Sequence, residues 1–524
     1  MEVALPSSSA NEPAIHRLVD DILAYIFLLN ATLPDPDCRE HTTTVASSQV
    51  CTRWRSIALN CRPIWGSIID YPRHSLRWIE TLLDRSYPSS LDFGSRINSV
   101  YLADGGPGVL ELVFNHIDRL RIFNLQVPVS SWELVCSRFL RQPAPNLEFV
   151  NVFIGSNAGH LTHPLFDNHA PNLQNLQLHR CTVDFTSPIL TPLTELYVHD
   201  IAETNAVPTV LDWLNILGGM PSLRWVTLIH AISSATTNIV YPIIHLAALE
   251  MLSVDGALHE SVTLIEHLIA PPRCGLRLRC DQAHVGFDQR KLWAIIEKKM
   301  DSWAKNAPNR HLEASSAEDF VAIGNLPDLG LGNVWGTEAE VVYYKRHIRL
   351  LDPVMTITLQ LSNSQDPVPL FLSLFALFER TFFDTTYLKL WISNEPEDGP
   401  EVYLPLVDSF RGFVNLEKVY LGYDSLSRFL FPLLQHSLPN SVLFPALQSL
   451  RFFGATFRDT SDSLLRVADF LQWRREQNLP VQKINIVQSR INRQYILTHI
   501  QDTVVEIDGF NFSDSDTSED EENN

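Results

Sequence analysis

One short phrase recurs along this chain and constrains its fold more than any other feature. It is a turn-forming residue, usually proline, then a leucine, then aliphatic residues at alternate positions. It reads APNLEFVNVFI (144–154), APNLQNLQLHRCTV (170–183), LTPLTELYVHDI (190–201), MPSLRWVTLIHA (220–231) and LAALEMLSVDG (246–256). It returns as FVNLEKVYLGY (413–423), FPALQSLRFFG (444–454) and LPVQKINIVQ (479–488). The lead leucines Leu147, Leu173, Leu193, Leu223 and Leu249 are spaced by 26, 20, 30 and 26 residues. Alternation with a period of two is the signature of a strand with one apolar face. A proline just ahead of it marks a turn. No such unit buries its apolar face alone, so the copies must stack.

Each repeat re-enters in the same direction, which predicts parallel strands at 147–154, 173–180, 193–199, 223–229, 249–254, 416–421, 447–452 and 483–488. Segments 210–217 and 463–473 read as helices between strands. The periodicity is similar to that of leucine-rich repeats, though the asparagine that follows the strand in strict repeats is mostly absent. No repeat register runs through 281–350. There, 288–305 reads as a helix and 323–336 as a Gly/Asn/Pro loop; strand-like alternation resumes at 355–362 and 385–393, around a helix at 367–380.

The first hundred residues follow a different period. Ile15, Leu18, Val19, Ile22, Leu23, Ile26 and Phe27 recur at helical spacing, with Asp20 and Asp21 early in the run, where a helix N-terminus favours acids. A loop with Pro34 and Pro36 follows. A second helix is expected from Thr44 as N-cap, with Val50, Trp54, Ile57, Ala58 and Cys61 on one face and Pro63 as its stop. A third is expected from Ser75, with Leu76, Ile79, Leu82 and Leu83 inward.

Taken in order, LVDDILAYIF (18–27), VCTRWRSIAL (50–59) and RPIWGSI (62–68) resemble an F-box of the F-box-like type common in fungal proteins. Val-Cys-x-x-Trp-Arg is the most specific part. Val19 stands where the family usually has proline, and Asp21 where it usually has glutamate. The resemblance implies an α/β chain: a three-helix F-box-like module, then an irregular leucine-rich-repeat solenoid with parallel strands. The implied layout is a disordered N-terminus (1–12), the module (13–70), a linker helix (71–94), the repeats (95–505) and an acidic disordered tail (506–524). It implies a non-catalytic substrate receptor of an SCF-type, cullin–RING ubiquitin ligase, cytoplasmic or nuclear. The module would dock a Skp-type adaptor linked to a cullin scaffold, and the repeats would hold a protein client. The adaptor-facing candidates are Leu18, Ile22, Leu23, Ile26, Phe27, Val50, Cys51, Trp54 and Arg55; which of them face the adaptor and which the module's own core is open at this level. The alternative is a repeat scaffold without a ubiquitin role, whose N-terminal helices cap the stack.

Composition narrows the other classes. Sixty acids against 40 Lys and Arg leave a net charge of −20, which repels phosphate backbones and anionic membranes. The nearest basic cluster, Arg273, Arg277 and Arg279, is short and has no interleaved aromatics. The apolar stretch 367–378 is too short to span a bilayer. Seven scattered cysteines show no metal-binding spacing. No phosphate loop, nucleophile elbow or zinc-protease motif is found. Neither a catalytic group nor a cofactor or metal is therefore expected. The segment 512–524 carries six acids and no base, a composition that cannot bury apolar surface.

Overall fold

The structure is a computed structural model. It describes residues 14–32, 40–69, 74–94, 100–101, 107–155, 159–160, 164–201, 207–234, 240–283, 289–304, 311–317, 320–324, 355–361, 368–379, 384–392, 404–422, 431, 435, 442–453, 456–457, 462–487, 490–491, 500 and 503–508. The expected disordered N-terminus at 1–12 and most of the loop at 323–336 lie outside these residues, as does 509–524 of the expected tail; the start of that tail is not disordered, because residues 506–508 belong to the strand Val504–Asp508. The chain divides into two compact units, Met1–Ala248 and Leu249–Asn524, with helices in both and ladders of mostly parallel strands.

The first unit opens with helices α1 (Asp20–Thr32), α2 (Glu40–Ser47), α3 (Thr52–Asn60), α4 (Arg62–Gly66) and α5 (Leu76–Ser86). Helix α1 starts later than the periodicity predicts. Ala14–Arg17 is a separate 3-10 turn, and the Val19 carbonyl accepts the first helical bonds, from Ile22 and Leu23. The single helix expected from Thr44 is two helices. Thr44 is buried inside α2 rather than capping it, and the chain breaks at Cys51. Cys51 is extended, and its Sγ accepts the Trp54 N–H at 3.5 Å, which restarts the helix as α3. Pro63 does not end a helix but begins α4, because a proline ring suits the first helical turn. Ser75 caps α5 as expected, accepting from the Trp78 N–H at 3.3 Å. Ile79, Leu82 and Leu83 are buried on it, whereas Leu76 is exposed.

Strands β1 (Leu91–Phe93), β2 (Leu120–Val127), β3 (Phe149–Ile154), β4 (Asn175–His179), β5 (Glu195–His199) and β6 (Trp225–Ile229) follow, each parallel to the next. Strands β3 to β6 fall on the phrases of the sequence; β1 and β2 do not, β1 ending the stretch 71–94 expected as a linker helix and β2 lying ahead of the first phrase. The physical cause is a repeated turn. The N–H groups of Leu147, Leu173, Leu193 and Leu223 bond back three residues to the carbonyls of Ala144, Ala170, Leu190 and Met220. Proline sits at the first or second inner position of each turn, which pre-sets its dihedral. All four lead leucines are fully buried. In two turns an asparagine reaches back to the turn before it: Asn146 Nδ2 donates to the Asp118 carbonyl at 2.6 Å, and Asn172 Nδ2 to that of Pro145 at 2.8 Å.

Register then sorts the side chains. Phe123, Val150, Leu176, Leu196 and Val226 form one buried row, and Leu125, Val152, Leu178, Val198 and Leu228 a second. Residues between them face the other side, among them Asn124, Asn151, Gln177, Tyr197 and Thr227 in one line. Four phenylalanines anchor the start of the array: Phe123 stacks on Phe139 at 3.8 Å, with Phe93 and Phe114 beside them. The helical module joins this array directly. Ile69 bridges to Phe93, and Arg119 donates to the Ser89 carbonyl and to the Ser86 hydroxyl at the end of α5. Later in the unit, helix α6 (Val210–Gly218) begins with a capping box between Thr209 and Asp212.

In the second unit, β7 (Met251–Ala257) pairs in parallel with β8 (Gly275–Ala283), followed by helix α7 (Gln289–Ala304). The all-parallel expectation fails next. Strands β9 (His311–Ala317) and β10 (Phe320–Gly324) form an antiparallel hairpin, and β10 runs antiparallel to β11 (Met355–Leu361). Only two residues separate β9 from β10, too few for the crossover that a parallel pair requires. Helix α8 (Val368–Glu379) follows. The parallel order then resumes through β9, β12 (Tyr387–Ile392), β13 (Lys418–Gly422), β14 (Ser449–Phe453), β15 (Lys483–Val487) and β16 (Val504–Asp508). Helix α9 (Asp462–Glu476) lies between β14 and β15.

Candidate functional site

The nine residues singled out in the N-terminal helices fall into two groups. On α1, Leu23 and Phe27 are core, 0% and 2% exposed. Ile22 is 47% exposed, and Leu18 and Ile26 are half-buried. At about 100° per residue, Leu23, Phe27 and Ala31 occupy one arc of the helix, and Ile22, Tyr25 and Ile26 an adjoining one. The first arc packs inward, where Phe27 meets the Trp54 ring at 5.1 Å. The second carries apolar side chains to the surface.

Two residues of that surface escaped the sequence reading. Tyr25 is 58% exposed and Val19 63% exposed. The helical wheel alone would have grouped Tyr25 with Ile22. Val19 was read as part of the apolar stripe of the helix and as a departure from proline, not as part of an exposed surface. It holds the N-cap position of α1, which Asp20 and Asp21 follow in the first turn.

The second segment divides likewise. Val50 stands 59% exposed in the turn before α3, outside any helix, so it does not share a helical face with Trp54 and Ile57. Cys51 and Trp54 are half-buried, and Arg55 is exposed. Trp54 Nε1 is itself buried and has no hydrogen-bond partner among the described residues. Trp65, by contrast, is fully buried, and its Nε1 donates to the Ala58 carbonyl at 2.9 Å. Arg85 lies over its ring at 4.8 Å. These contacts make Trp65 a core anchor of the module.

Arg53 fixes the geometry between the two segments. Its guanidinium bonds to Asp20 at 2.6 Å and to the Leu18 carbonyl at 2.5 Å. That brings the start of α3 against the start of α1. Val50, three residues before Arg53, therefore lies at the same end of the module as Val19. Desolvation raises the pKa of the Cys61 thiol, which holds it in the unreactive protonated form. Among the described residues no group of three or more His, Cys, Asp or Glu side chains could hold a metal ion. No helix among them is long and apolar enough to cross a membrane. No protein-family model and no curated protein sequence matches the chain. The functional reading thus rests on this geometry and on the order of residues that carries the resemblance.

Proposed function

We propose that this chain is a substrate-recognition subunit of an SCF-type, cullin–RING ubiquitin ligase, cytoplasmic or nuclear. In this reading the N-terminal helices are an F-box-like module that docks a Skp-type adaptor. The parallel ladders belong to an irregular leucine-rich-repeat solenoid that holds a protein client. The receptor makes and breaks no bond. It raises the concentration of client lysines near a charged conjugating enzyme, a tethering and positioning effect.

The observation that carries the reading is the apolar surface of α1. Val19, Ile22 and Tyr25 lie exposed on a module whose own core is already closed by Leu23, Phe27, Ile64 and Trp65. Clustered exposed apolar side chains mark interaction sites. A module that only capped the repeats would need its apolar residues facing the array. The contact with the array is made by other residues, among them Ile69, which bridges to Phe93.

The test replaces Ile22 and Ile26 with Glu in the full chain and measures capture by a Skp-type adaptor. Capture should fall at least tenfold while the thermal transition is retained. Phe27 is not a useful target, because its truncation removes core packing and mixes docking with folding. Adaptor capture by I22E/I26E at wild-type yield would reject the assignment.

A further inference from the structure

The second unit carries a cationic, aromatic face that the linear sequence does not display. Strands β12 to β15 carry an aliphatic or phenylalanine side chain at every second position. Leu388, Leu390, Val419, Leu421, Leu450, Phe452, Ile484 and Ile486 are buried on one side. The register places the intervening residues in two lines on the other side. One runs Tyr387, Lys418, Ser449, Lys483 and the next Lys389, Tyr420, Arg451, Asn485. Four cations thus meet on four neighbouring strands, within about 15 Å across at a strand spacing of about 4.8 Å, and the register sets an acid at each flank, Glu313 beside Lys389 and Glu506 beside Asn485.

Tyr420 is their centre. Lys389 Nζ and Arg451 Cζ each lie 5.3 Å from its ring centroid. Its ring is thus engaged by two cations, each within cation–π range. Lys418 is exposed. Lys483 pairs with Glu506 at 2.7 Å. Arg451 Nε is buried and has no hydrogen-bond partner among the described residues. A donor in that condition is costly to leave unmade. With Glu506 on Lys483 and Glu313 in register beside Lys389, Lys418 and Arg451 at the middle of the face gain most from an outside anion.

We propose that this face docks an acidic peptide segment of a partner protein, its carboxylates on Lys418 and Arg451 and its backbone along Ser449 and Asn485. A nucleic acid presents the same charge sign but extends far beyond four cations, onto a molecule whose remaining charge repels it. A short acidic segment needs only the local complement. In the receptor role proposed above this segment belongs to the client, and that step alone rests on the earlier reading. Peptide binding involves no adaptor, so either reading can fail without the other.

The experiment is fluorescence anisotropy with the full chain and a fluorescein-labelled peptide alternating Asp and Ser. The Asn-for-Asp peptide and a labelled oligothymidylate serve as comparison probes. The acidic peptide should bind at low salt, weaken as salt rises, and exceed the neutral peptide at least tenfold. Lys418→Glu with Arg451→Glu should remove that difference while the thermal transition stays within a few degrees. Arg451→Gln, which keeps the stem against Tyr420, should weaken binding severalfold. Equal binding by wild type and the double variant, or no preference over the neutral peptide, overturns the proposal. Tighter binding of the oligothymidylate, lost in the double variant, would reassign the face to nucleic acid. A chain lacking 512–524 is measured alongside. If only that form binds the peptide, the chain's own acidic segment is the occupant, and the claim of an outside partner fails.

Discussion

Arg474 offers the sharpest test of how the second unit holds its repeats in register. It lies on α9 and is fully buried. Its Nε donates to the Leu479 carbonyl at 3.0 Å, Nη1 to that of Leu443 at 2.9 Å and Nη2 to that of Phe444 at 3.0 Å. Residues 443 and 444 open the turn that leads into β14, and residue 479 leads into β15. One guanidinium therefore ties two successive repeats to the helix between them. Three hydrogen bonds to a charged donor contribute about 1.5–3 kcal/mol each. Against them stands desolvation, which lowers the Arg474 pKa to about 10, a cost of about 3 kcal/mol at neutral pH. The balance for Arg474→Met, which leaves three carbonyls without this donor, is a loss of about 2–4 kcal/mol. In a chain of two units a global transition does not locate a loss within one of them. Amide hydrogen exchange resolved by peptide is the appropriate assay. Protection should fall about 30- to 700-fold over 443–453 and 479–487, at 1.4 kcal/mol per tenfold, and should not change over β2. If protection at those peptides stays within threefold of wild type, the clamp does not hold the turns and the argument is wrong.

Gly66 ends α4, and a Cβ placed there would lie 2.3 Å from the Ser90 backbone carbonyl oxygen. Gly66→Ala should therefore destabilise the junction of module and array by about 1–3 kcal/mol, seen as faster proteolysis within 74–94; unchanged cleavage rates would refute the close approach. His116 has its pKa lowered by desolvation, with Arg119 adding to it. The unfolded chain then binds the extra proton first, so the contribution of His116 is fully present above the ordinary histidine pKa of about 6.5 and is lost as pH falls below it. His116→Gln should flatten the acid side of the stability curve of the first unit below about pH 6.5, and an identical pH dependence in both proteins would count against burial of this ring.

The positions of β3 to β7 and of β13 to β15 were legible in the sequence because their causes are local. The buried lead leucine, the three-residue turn behind it and the proline that pre-sets that turn all lie within ten residues of the strand they start. Ser75 as a cap and Ile79, Leu82 and Leu83 as an inward stripe were legible for the same reason. At the candidate site the sequence marked α1 but not its two arcs. Leu23 and Ile22 are equally apolar, and only the neighbours supplied by Trp54 and α4 decide which is covered. The break at Cys51 was hidden because a helical period ran through it. The β9–β10 hairpin was hidden because its two residues of separation imply a direction only once both strands are known to exist. The grouping of Lys389, Lys418, Arg451 and Lys483 around Tyr420 lay furthest from view. These residues are about 30 apart in the chain, and each alone reads as a solvated charge. Residue type and local spacing determine which elements form and which side of each is apolar. Register between strands determines which charges become neighbours, and register is a property of the stacked turns together.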